Sequence, residues 1–595
     1  MSGSETRLIE SIGVLKDEEF EQAQSLAIEG DIEAYGRYLS SAKRGNPVSA
    51  HMVSKYISMN LAEGGTMGTV FWSTYAVLAY YVPAVSTLKV WLNAPDAPGP
   101  EEFVAYCKKE AETGNGAAMF LAGMAHYIGA GAEFDPDAAF GYFRRSCEAG
   151  NLDGRCQYAL CLIRGSGTAQ DLDKGIRILT ETAEKGCIRA AFKYAQCLEH
   201  GVFVRKDCRK ALDIYERLAS RRVPRAMYEA GRCALDGIGT ERDPDLGYSW
   251  FELSRAFGSV WGDFGMARCM MGGIVENCRE EGTKLMLDSA DRGCTDAMMM
   301  ASQLFSKDGK ILKKDAGRSL DYLMKAAATG YAPAELSLAR MYDEGTGVKR
   351  DFRKAAAYAK RAAAHGSIEG CYMAGLTSFT GKGTDKNYDL AFRLFKIASD
   401  AGFMKATFAL ARCYAGGFGV GKNVGMFIRL HTELAERGFA KSAFILGERA
   451  FMNFEYDDAV RFFSKGAEYD NVFCQYYLGE CYMNGHGVKK DEAVALKWYK
   501  KAADQGHVIS QRIIEDRRNR EILEDQTPFA TFEKSARSGN AQSMYIVGRY
   551  YEDGIGIEKD LNKAKDWYRK AKKRGNSAAK RALDALEKAE AVKKE

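Results

Sequence analysis

The chain has 595 residues, of which 46% are hydrophobic and 27% are charged. This balance is typical of a folded protein and excludes a disordered or collagen-like chain. The net charge of +5 arises from 84 basic and 79 acidic residues and is too small to indicate a nucleic-acid-binding protein. Because a single hydrophobic core rarely grows beyond about 250–300 residues, this length requires several domains or an array of repeats.

The N-terminal part of the chain bears on where the protein acts. The first 22 residues contain charges and no apolar segment, so we expect no secretory signal. The uncharged segment Met67–Leu88 is rich in threonine, serine and tyrosine, which makes it polar for a bilayer span. We therefore expect a buried, irregular helical hairpin here, with a membrane span as the less favoured alternative. Residues 1–100 as a whole are predicted to form degenerate helical repeats or a cap.

Aromatic side chains are concentrated within the segment Val70–Leu92. Because aromatic residues are enriched at the energetically dominant positions of protein interfaces, this segment is the candidate partner-binding site. The alternative, which we favour, is that these rings fill the core of an irregular N-terminal cap. The candidate residues are Phe71, Trp72, Tyr75, Tyr80, Tyr81 and Trp91.

Glycine recurs at a fixed interval along most of the chain, which is the pattern of a repeat protein. Each step is 36 residues in the series Gly129, Gly165, Gly201, Gly237, Gly273, Gly309, Gly345, Gly381 and Gly417. A second series marks the ends of the units, and Arg222 and Asp470 occupy it where glycine is missing.

The segment Tyr331–Gly366 shows how one unit folds. Apolar side chains recur at helical spacing on both sides of the loop that contains Gly345, which predicts two helices. Gly345 supplies the positive φ that ends the first helix, and Asp351 is a favourable N-cap for the second. Because such a helix pair cannot bury its apolar faces alone, neighbouring units must stack. The apolar positions are Ala334, Leu338, Ala339, Tyr342, Ala355, Tyr358, Ala359, Ala362 and Ala363.

These repeats predict an all-α protein, an α/α solenoid of about 13 or more helix-turn-helix repeats of roughly 36 residues. The solenoid is predicted over residues 101–580, followed by a C-terminal polar helix or tail over residues 581–595. Solenoids bind partners along the concave surface, to which one helix of each pair contributes.

The repeat resembles that of the Sel-1-like repeat family, whose units are slightly longer relatives of tetratricopeptide repeats. The best matching unit ends at Gly506 and carries the motif residues Leu478, Gly479, Tyr482, Gly485, Gly487, Val488, Asp491, Ala493, Trp498, Tyr499, Lys501, Ala502 and Ala503. The resemblance implies a scaffold or adaptor that brings proteins together. It implies no reaction, because the family has no shared catalytic residues.

The fifteen cysteines favour a reducing compartment. Equivalent residues on neighbouring packed helices lie about 8–10 Å apart, whereas a disulfide needs Cα atoms about 4.4–6.8 Å apart. We therefore predict buried free thiols and a cytoplasmic protein. The chain has no C-x-x-C pair, so metal binding by these cysteines is not expected. Six of them share one repeat position: Cys161, Cys197, Cys233, Cys269, Cys413 and Cys481.

One segment imitates a phosphate-binding loop. Gly416–Asn423 reads GGFGVGKN, but it follows a predicted helix instead of a strand and coincides with the turn of a repeat. No cofactor, metal site or catalytic residue is therefore predicted. The predicted function is a protein–protein interaction scaffold or adaptor without catalysis, which binds one or more proteins and neither nucleic acid nor a small-molecule substrate. The alternative is a membrane-associated or exported repeat protein.

Overall fold

The computed structural model describes residues 17–29, 33–59, 61–78, 84, 88, 90, 92–94, 96–276, 278–309, 311–518 and 528–594. Within these residues it contains 32 α-helices and no β-strand, which confirms the all-α prediction. The helices group into two compact units, Met1–Ala406 and Thr407–Glu595, which we call the N-terminal and C-terminal units. The predicted boundaries at residues 100 and 580 divide the chain differently and stay predictions.

The boundary between the two units falls inside α22. The N-terminal unit holds α1 (Glu18–Glu29), α2 (Glu33–Lys43), α3 (Pro47–Ser58), α4 (Gly65–Leu78), α5 (Pro100–Glu112), α6 (Gly116–Ile128), α7 (Pro136–Glu148), α8 (Leu152–Arg164), α9 (Leu172–Glu184), α10 (Ile188–His200), α11 (Cys208–Ser220), α12 (Pro224–Asp236), α13 (Pro244–Ala256), α14 (Val260–Met271), α15 (Arg279–Asp291), α16 (Thr295–Phe305), α17 (Ala316–Ala328), α18 (Ala332–Glu344), α19 (Phe352–Ala364), α20 (Ile368–Thr380), α21 (Tyr388–Asp400) and the start of α22 (Met404–Gly416).

The C-terminal unit continues the alternation of first and second helices. It holds α23 (Val424–Glu436), α24 (Ala440–Met452), α25 (Tyr456–Glu468), α26 (Val472–Asn484), α27 (Glu492–Asp504), α28 (Val508–Arg518), α29 (Pro528–Arg537), α30 (Ala541–Asp553), α31 (Leu561–Lys573) and α32 (Ser577–Lys594).

The repeat that contains α18 and α19 folds as its sequence predicts. Gly345 follows α18 in the left-handed conformation, with φ of 79°. The Asp351 carboxylate accepts hydrogen bonds from the backbone N–H groups of Arg353 and Lys354 and so caps α19. Seven of the nine predicted apolar positions are buried, and the other two, Tyr342 and Tyr358, are half-buried. These caps and apolar faces together confirm the helix-turn-helix prediction.

The second glycine of the loop has a further role that the sequence pattern did not indicate. A Cβ atom at Gly383 would overlap the carbonyl group of Phe352, which is the first residue of the preceding second helix. The same overlap recurs for Gly167 against Pro136 and for Gly487 against Tyr456. Glycine at this position therefore permits the close backbone contact by which successive repeats stack.

Three positions of the two glycine series are exceptions to the pattern. Helix α16 ends at Phe305, before it reaches Gly309, and Ser306 follows in a right-handed conformation. The unit ends Arg222 and Asp470 adopt φ of 61° and 57°, although neither is glycine. The fold thus imposes the left-handed conformation at these unit ends whatever residue is present, and a non-glycine residue there is strained.

Arg222→Gly is expected to raise the free energy of unfolding by about 0.5–1 kcal/mol, because a left-handed residue with a Cβ atom is strained and glycine is not. Urea denaturation followed by circular dichroism measures the change. The matched control is Arg221→Gly, since Arg221 is also exposed but has φ of −91°. An equal gain in both variants would contradict the explanation by strain.

A buried polar cluster joins repeats that are distant in sequence within the N-terminal unit. We call Tyr127, Arg164, Glu335, Arg361 and His365 the buried clamp. Arg164 Nη1 donates to the Tyr127 hydroxyl oxygen over 2.8 Å, and His365 Nε2 lies 2.7 Å from the Tyr127 carbonyl oxygen. Glu335 has no exposed surface and accepts a hydrogen bond from Arg361 Nε over 2.9 Å. The clamp thus connects the end of α6 with α18 and α19.

The His365 ring bridges two parts of the clamp through its nitrogens. Its Nδ1 lies 2.6 Å from a carboxylate oxygen of Glu335, and its Nε2 faces the carbonyl oxygen of Tyr127. The ring therefore joins the Glu335 carboxylate to the backbone of Tyr127, beside the Arg361 guanidinium that contacts the same carboxylate.

Candidate functional site

The aromatic residues that the sequence proposed for partner binding lie partly in the core. Phe71, Trp72 and Tyr75 are 1%, 5% and 0% exposed and belong to the hydrophobic core around α1 to α8. Tyr80, Tyr81 and Trp91 lie outside the described residues. The three buried rings occupy the places expected of the alternative, in which the aromatic residues fill the N-terminal end. Partner binding by this segment stays a prediction.

Tyr75 shows why these rings are buried. Its hydroxyl group donates to Asp153 Oδ2 over 2.9 Å and accepts a hydrogen bond from Asn151 Nδ2 over 3.0 Å. Burial, followed by the charge of Asp153, raises the pKa of Tyr75 well above its usual value. The side chain thus attaches α4 to the start of α8 instead of presenting a surface to a partner.

Charged side chains form a row across the first helices α8, α10 and α12. Arg189 Nε lies 2.8 Å from Asp153 Oδ1, and Arg232 Nη2 lies 2.7 Å from Glu199 Oε2. Each pair joins neighbouring repeats, and its members are largely withdrawn from water. Such pairs fix the packing of the first helices and leave little net charge between them.

Lys193 stands out in this row because its ammonium group has no carboxylate partner among the described residues. Its Nζ donates to Gln196 Oε1 over 3.0 Å. Burial, together with the nearby guanidinium groups of Arg164, Arg189 and Arg225, lowers the pKa of Lys193 to about 8. The row therefore has an excess of positive charge at α10.

The C-terminal unit contains a cavity of about 90 Å³ between its first helices. We call it the aromatic pocket. It lies among α24, α26 and α30, with contributions from the start of α25 and from α29. Its walls are Phe451, Met452, Tyr456, Tyr476, Tyr477, Glu480, Asn484, His486, Phe532, Tyr545, Ile546, Arg549, Tyr550, Asp553 and Ile555. None of these residues was predicted from the sequence to form a site.

Glu480 is the acidic group of the aromatic pocket. Tyr499 Oη donates to Glu480 Oε1 over 2.7 Å, and Asn484 Nδ2 lies 3.4 Å from Oε2. Burial raises the pKa of Glu480, whereas the hydrogen bonds from Tyr499, Tyr476 and Asn484 oppose this rise. All three donors are neutral, so the negative charge of this carboxylate has no counter-ion among them.

The opposite wall holds a cation that is already paired. Arg549 donates to Asp553 Oδ2 from Nε over 3.1 Å and from Nη2 over 2.6 Å. Beside it the His486 ring stacks on Tyr456 with centroids 4.4 Å apart, and its buried Nδ1 has no hydrogen-bond partner among the described residues. Burial lowers the pKa of His486, which favours the neutral ring.

Equivalent positions of different repeats form both the charged row and the aromatic pocket. Lys193, Glu229 and Tyr477 each stand eight residues before the first glycine of their loop. Five residues before that glycine stand Gln196, Arg232, Arg268, Glu480 and Arg549. The first of these positions varies widely among repeats, and the second varies as well, although arginine recurs there.

The described residues show no cluster of side chains that could hold a metal ion. The segment Gly416–Asn423 connects two helices: α22 ends at Gly416, and Asn423 caps α23 through its side chain. It is therefore the turn of a repeat, as predicted. No helix in the described part of the chain is long and apolar enough to span a membrane.

All fifteen cysteines are free thiols. Of the six that share a repeat position, Cys197 is half-buried and the others are buried. Burial raises the pKa of Cys161 and of Cys481 to about 12, so these thiols stay protonated and unreactive at neutral pH. Eleven of the fifteen are buried as predicted, whereas Cys147, Cys197, Cys208 and Cys278 are half-buried.

Two solved structures of repeat proteins are similar to this chain. The crystal structure of c5321, a protective antigen of uropathogenic Escherichia coli strains, is 23% identical, with a TM-score of 0.41, over 82% of this chain and 90% of that chain. A Sel1 repeat protein from Oxalobacter formigenes is 22% identical, with a TM-score of 0.27, over 51% of this chain and 96% of that chain.

Curated relatives match shorter segments. Chitin synthase regulatory factor 3 of Schizosaccharomyces pombe is 30% identical over 128 residues, which are 20% of this chain and 14% of that protein. DAP3-binding cell death enhancer 1 of Rattus norvegicus is 27% identical over 186 residues, which are 25% of this chain and 36% of that protein. The chain thus spans well under two thirds of the length of either relative.

The sequence profile described as Sel1 repeat matches ten segments of the chain. They are residues 116–151, 153–187, 188–222, 224–256, 295–331, 332–367, 368–403, 405–426, 472–507 and 541–576. Because these segments together span more than half of the chain, the chain belongs to the Sel1 repeat family.

Proposed function

We propose that this chain is a non-catalytic scaffold that binds one or more proteins along the first helices of its repeats. The observation that carries the proposal is the variation at the two positions that lie eight and five residues before the loop glycine. Constant helices with variable surface residues are how repeat proteins acquire binding specificity. Uncompensated groups at these positions, Lys193 and Glu480, lower stability unless a partner supplies the opposite charge.

Two further observations support this reading. Relatives of the chain bear names that describe a regulatory factor and a binding protein, which is the work of a scaffold. Fifteen free thiols favour a reducing compartment, so we place the proposed scaffold in the cytoplasm.

The test begins with the tagged chain in its native cell, recovered under mild detergent, and with mass spectrometry of the proteins that co-purify. Each candidate is then purified and its dissociation constant measured with the intact chain, with Lys193→Glu and with Glu480→Gln. The matched control is Lys185→Glu, because Lys185 is exposed at the end of a second helix.

A stoichiometric complex that Lys193→Glu or Glu480→Gln weakens, and that Lys185→Glu leaves unchanged, would support binding along the first helices. Absence of any stoichiometric partner would reject the scaffold. Recovery of the chain mainly with the membrane pellet would favour the alternative of a membrane-associated protein.

A further inference from the structure

The charge balance of the aromatic pocket is negative. Glu480 accepts its hydrogen bonds from neutral groups, and no lysine or arginine of the described residues forms an ion pair with it. Arg549, the basic residue of the pocket wall, is paired with Asp553 through both Nε and Nη2. A carboxylate has two oxygens with about four acceptor sites, so Glu480 keeps the capacity to accept a further donor.

A second carboxylate adds to the negative potential. Burial raises the pKa of Glu448 on α24, and this carboxylate has no cationic partner in the described part of the chain. The pKa of Tyr477 is raised by burial, by Glu448 and by Glu480, which places this ring under the influence of both carboxylates. Tyr477 of the pocket wall thus lies near two carboxylates.

Aromatic rings surround the same carboxylate. The rings of Tyr476 and Tyr477 meet edge to face with their centroids 5.3 Å apart. The ring centroids of Phe532 and Tyr550 are 6.2 Å apart. The pKa of Tyr550 is raised by burial and then by Glu480, so this ring also lies near the carboxylate. Electron-rich ring faces attract cations, and the attraction strengthens where water is excluded.

The size of the cavity indicates what fits. A volume of about 90 Å³ is smaller than the roughly 150 Å³ cavity that accepts benzene, so it admits the tip of a side chain and not a drug-sized molecule. We propose that the aromatic pocket binds the cationic tip of a lysine or arginine side chain of a protein partner, with Glu480 as its counter-ion. This proposal rests on the proposed scaffold function and names the chemistry of one contact.

The test uses the full chain and small probes of defined charge. Ligand-observed NMR gives the dissociation constants of n-butylammonium, of n-butylguanidinium and of the neutral 1-butanol. We expect the better cationic probe to bind at least about tenfold more tightly than 1-butanol. Blocked pentapeptides with a central lysine or a central glutamine are measured in the same way. They show whether the pocket accepts a cation that is part of a peptide side chain or accepts only a free amine.

Two pocket variants and one control define the site. Glu480→Gln keeps an oxygen that accepts from Tyr499 and removes only the charge, so we expect folding to persist and cation binding to fall at least about tenfold. Tyr550→Leu removes a ring and is expected to weaken the same probes. Glu468→Gln, an exposed change in the same unit, is expected to have no effect.

Equal binding of 1-butanol and the cations, or unchanged binding in Glu480→Gln, would overturn the proposal in favour of an apolar pocket. If n-butylammonium binds and the lysine peptide does not, the cation does not come from a protein side chain, and the proposal is wrong. Probe binding without any protein partner would reject the scaffold and keep the pocket chemistry. Partner binding without probe binding would reject only the pocket chemistry.

Discussion

Glu335→Ala is expected to lower the free energy of unfolding of the N-terminal unit by about 3–5 kcal/mol, the usual effect of removing one partner from a buried ion pair. Glu335 has no exposed surface, and its carboxylate faces Arg361 Nε at 2.9 Å and His365 Nδ1 at 2.6 Å. Without the carboxylate, the Arg361 guanidinium loses its counter-ion in a poorly hydrated site. Urea denaturation followed by circular dichroism measures the loss.

The position of the clamp adds a second, local readout. Arg361 Nη2 also donates to the carbonyl oxygen of Ile128 over 2.7 Å, so the clamp holds the end of α6 against α19. Hydrogen exchange should therefore accelerate in α6 and α19 of Glu335→Ala before the whole unit unfolds. The matched control is Glu344→Ala, since Glu344 is exposed at the end of the same helix. A loss no larger than that of the control would show that the clamp does not stabilise the unit.

The sequence could not reveal this clamp. His365 and Tyr127 are 238 residues apart, and nothing in the period of 36 residues states which repeats meet again in space. The period does specify the helices, because glycine at Gly345 and the capping residue Asp351 determine local backbone geometry. Local structure was therefore predictable, whereas contacts between distant repeats depend on small rotations summed over several units.

The candidate site was missed for a related reason. Aromatic enrichment drew attention to Phe71 and Trp72, but a run of aromatic residues is equally suited to a core, and both rings are buried. The pocket residues Tyr477 and Glu480 form no motif of their own. They differ from the residues at the equivalent positions of other repeats, which shows only when the units are aligned on their loop glycines. The signal in the sequence was therefore the variation at two fixed positions of the repeat, eight and five residues before the loop glycine.

Gly383→Ala is expected to lower the free energy of unfolding by about 2–5 kcal/mol, as the sum of left-handed strain and overpacking. Gly383 has φ of 78°, and a Cβ atom there would overlap the carbonyl group of Phe352 in the preceding repeat. Because that neighbour is backbone at the start of α19, it cannot move aside as a flexible side chain does. The helices themselves should persist while the stacking of the two repeats weakens.

Gly347→Ala separates the two contributions. Gly347 occupies the equivalent place in another loop with φ of 75°, but its nearest contact for a Cβ atom is the flexible end of Met341 at 3.4 Å. We expect Gly347→Ala to lower the free energy of unfolding by only about 1–2 kcal/mol, from left-handed strain alone. Urea denaturation of both variants gives the difference, which measures the close backbone contact between repeats. Equal losses of stability in the two variants would mean that the second loop glycine is needed only for its left-handed backbone conformation. The proposed role in the stacking of repeats would then be wrong.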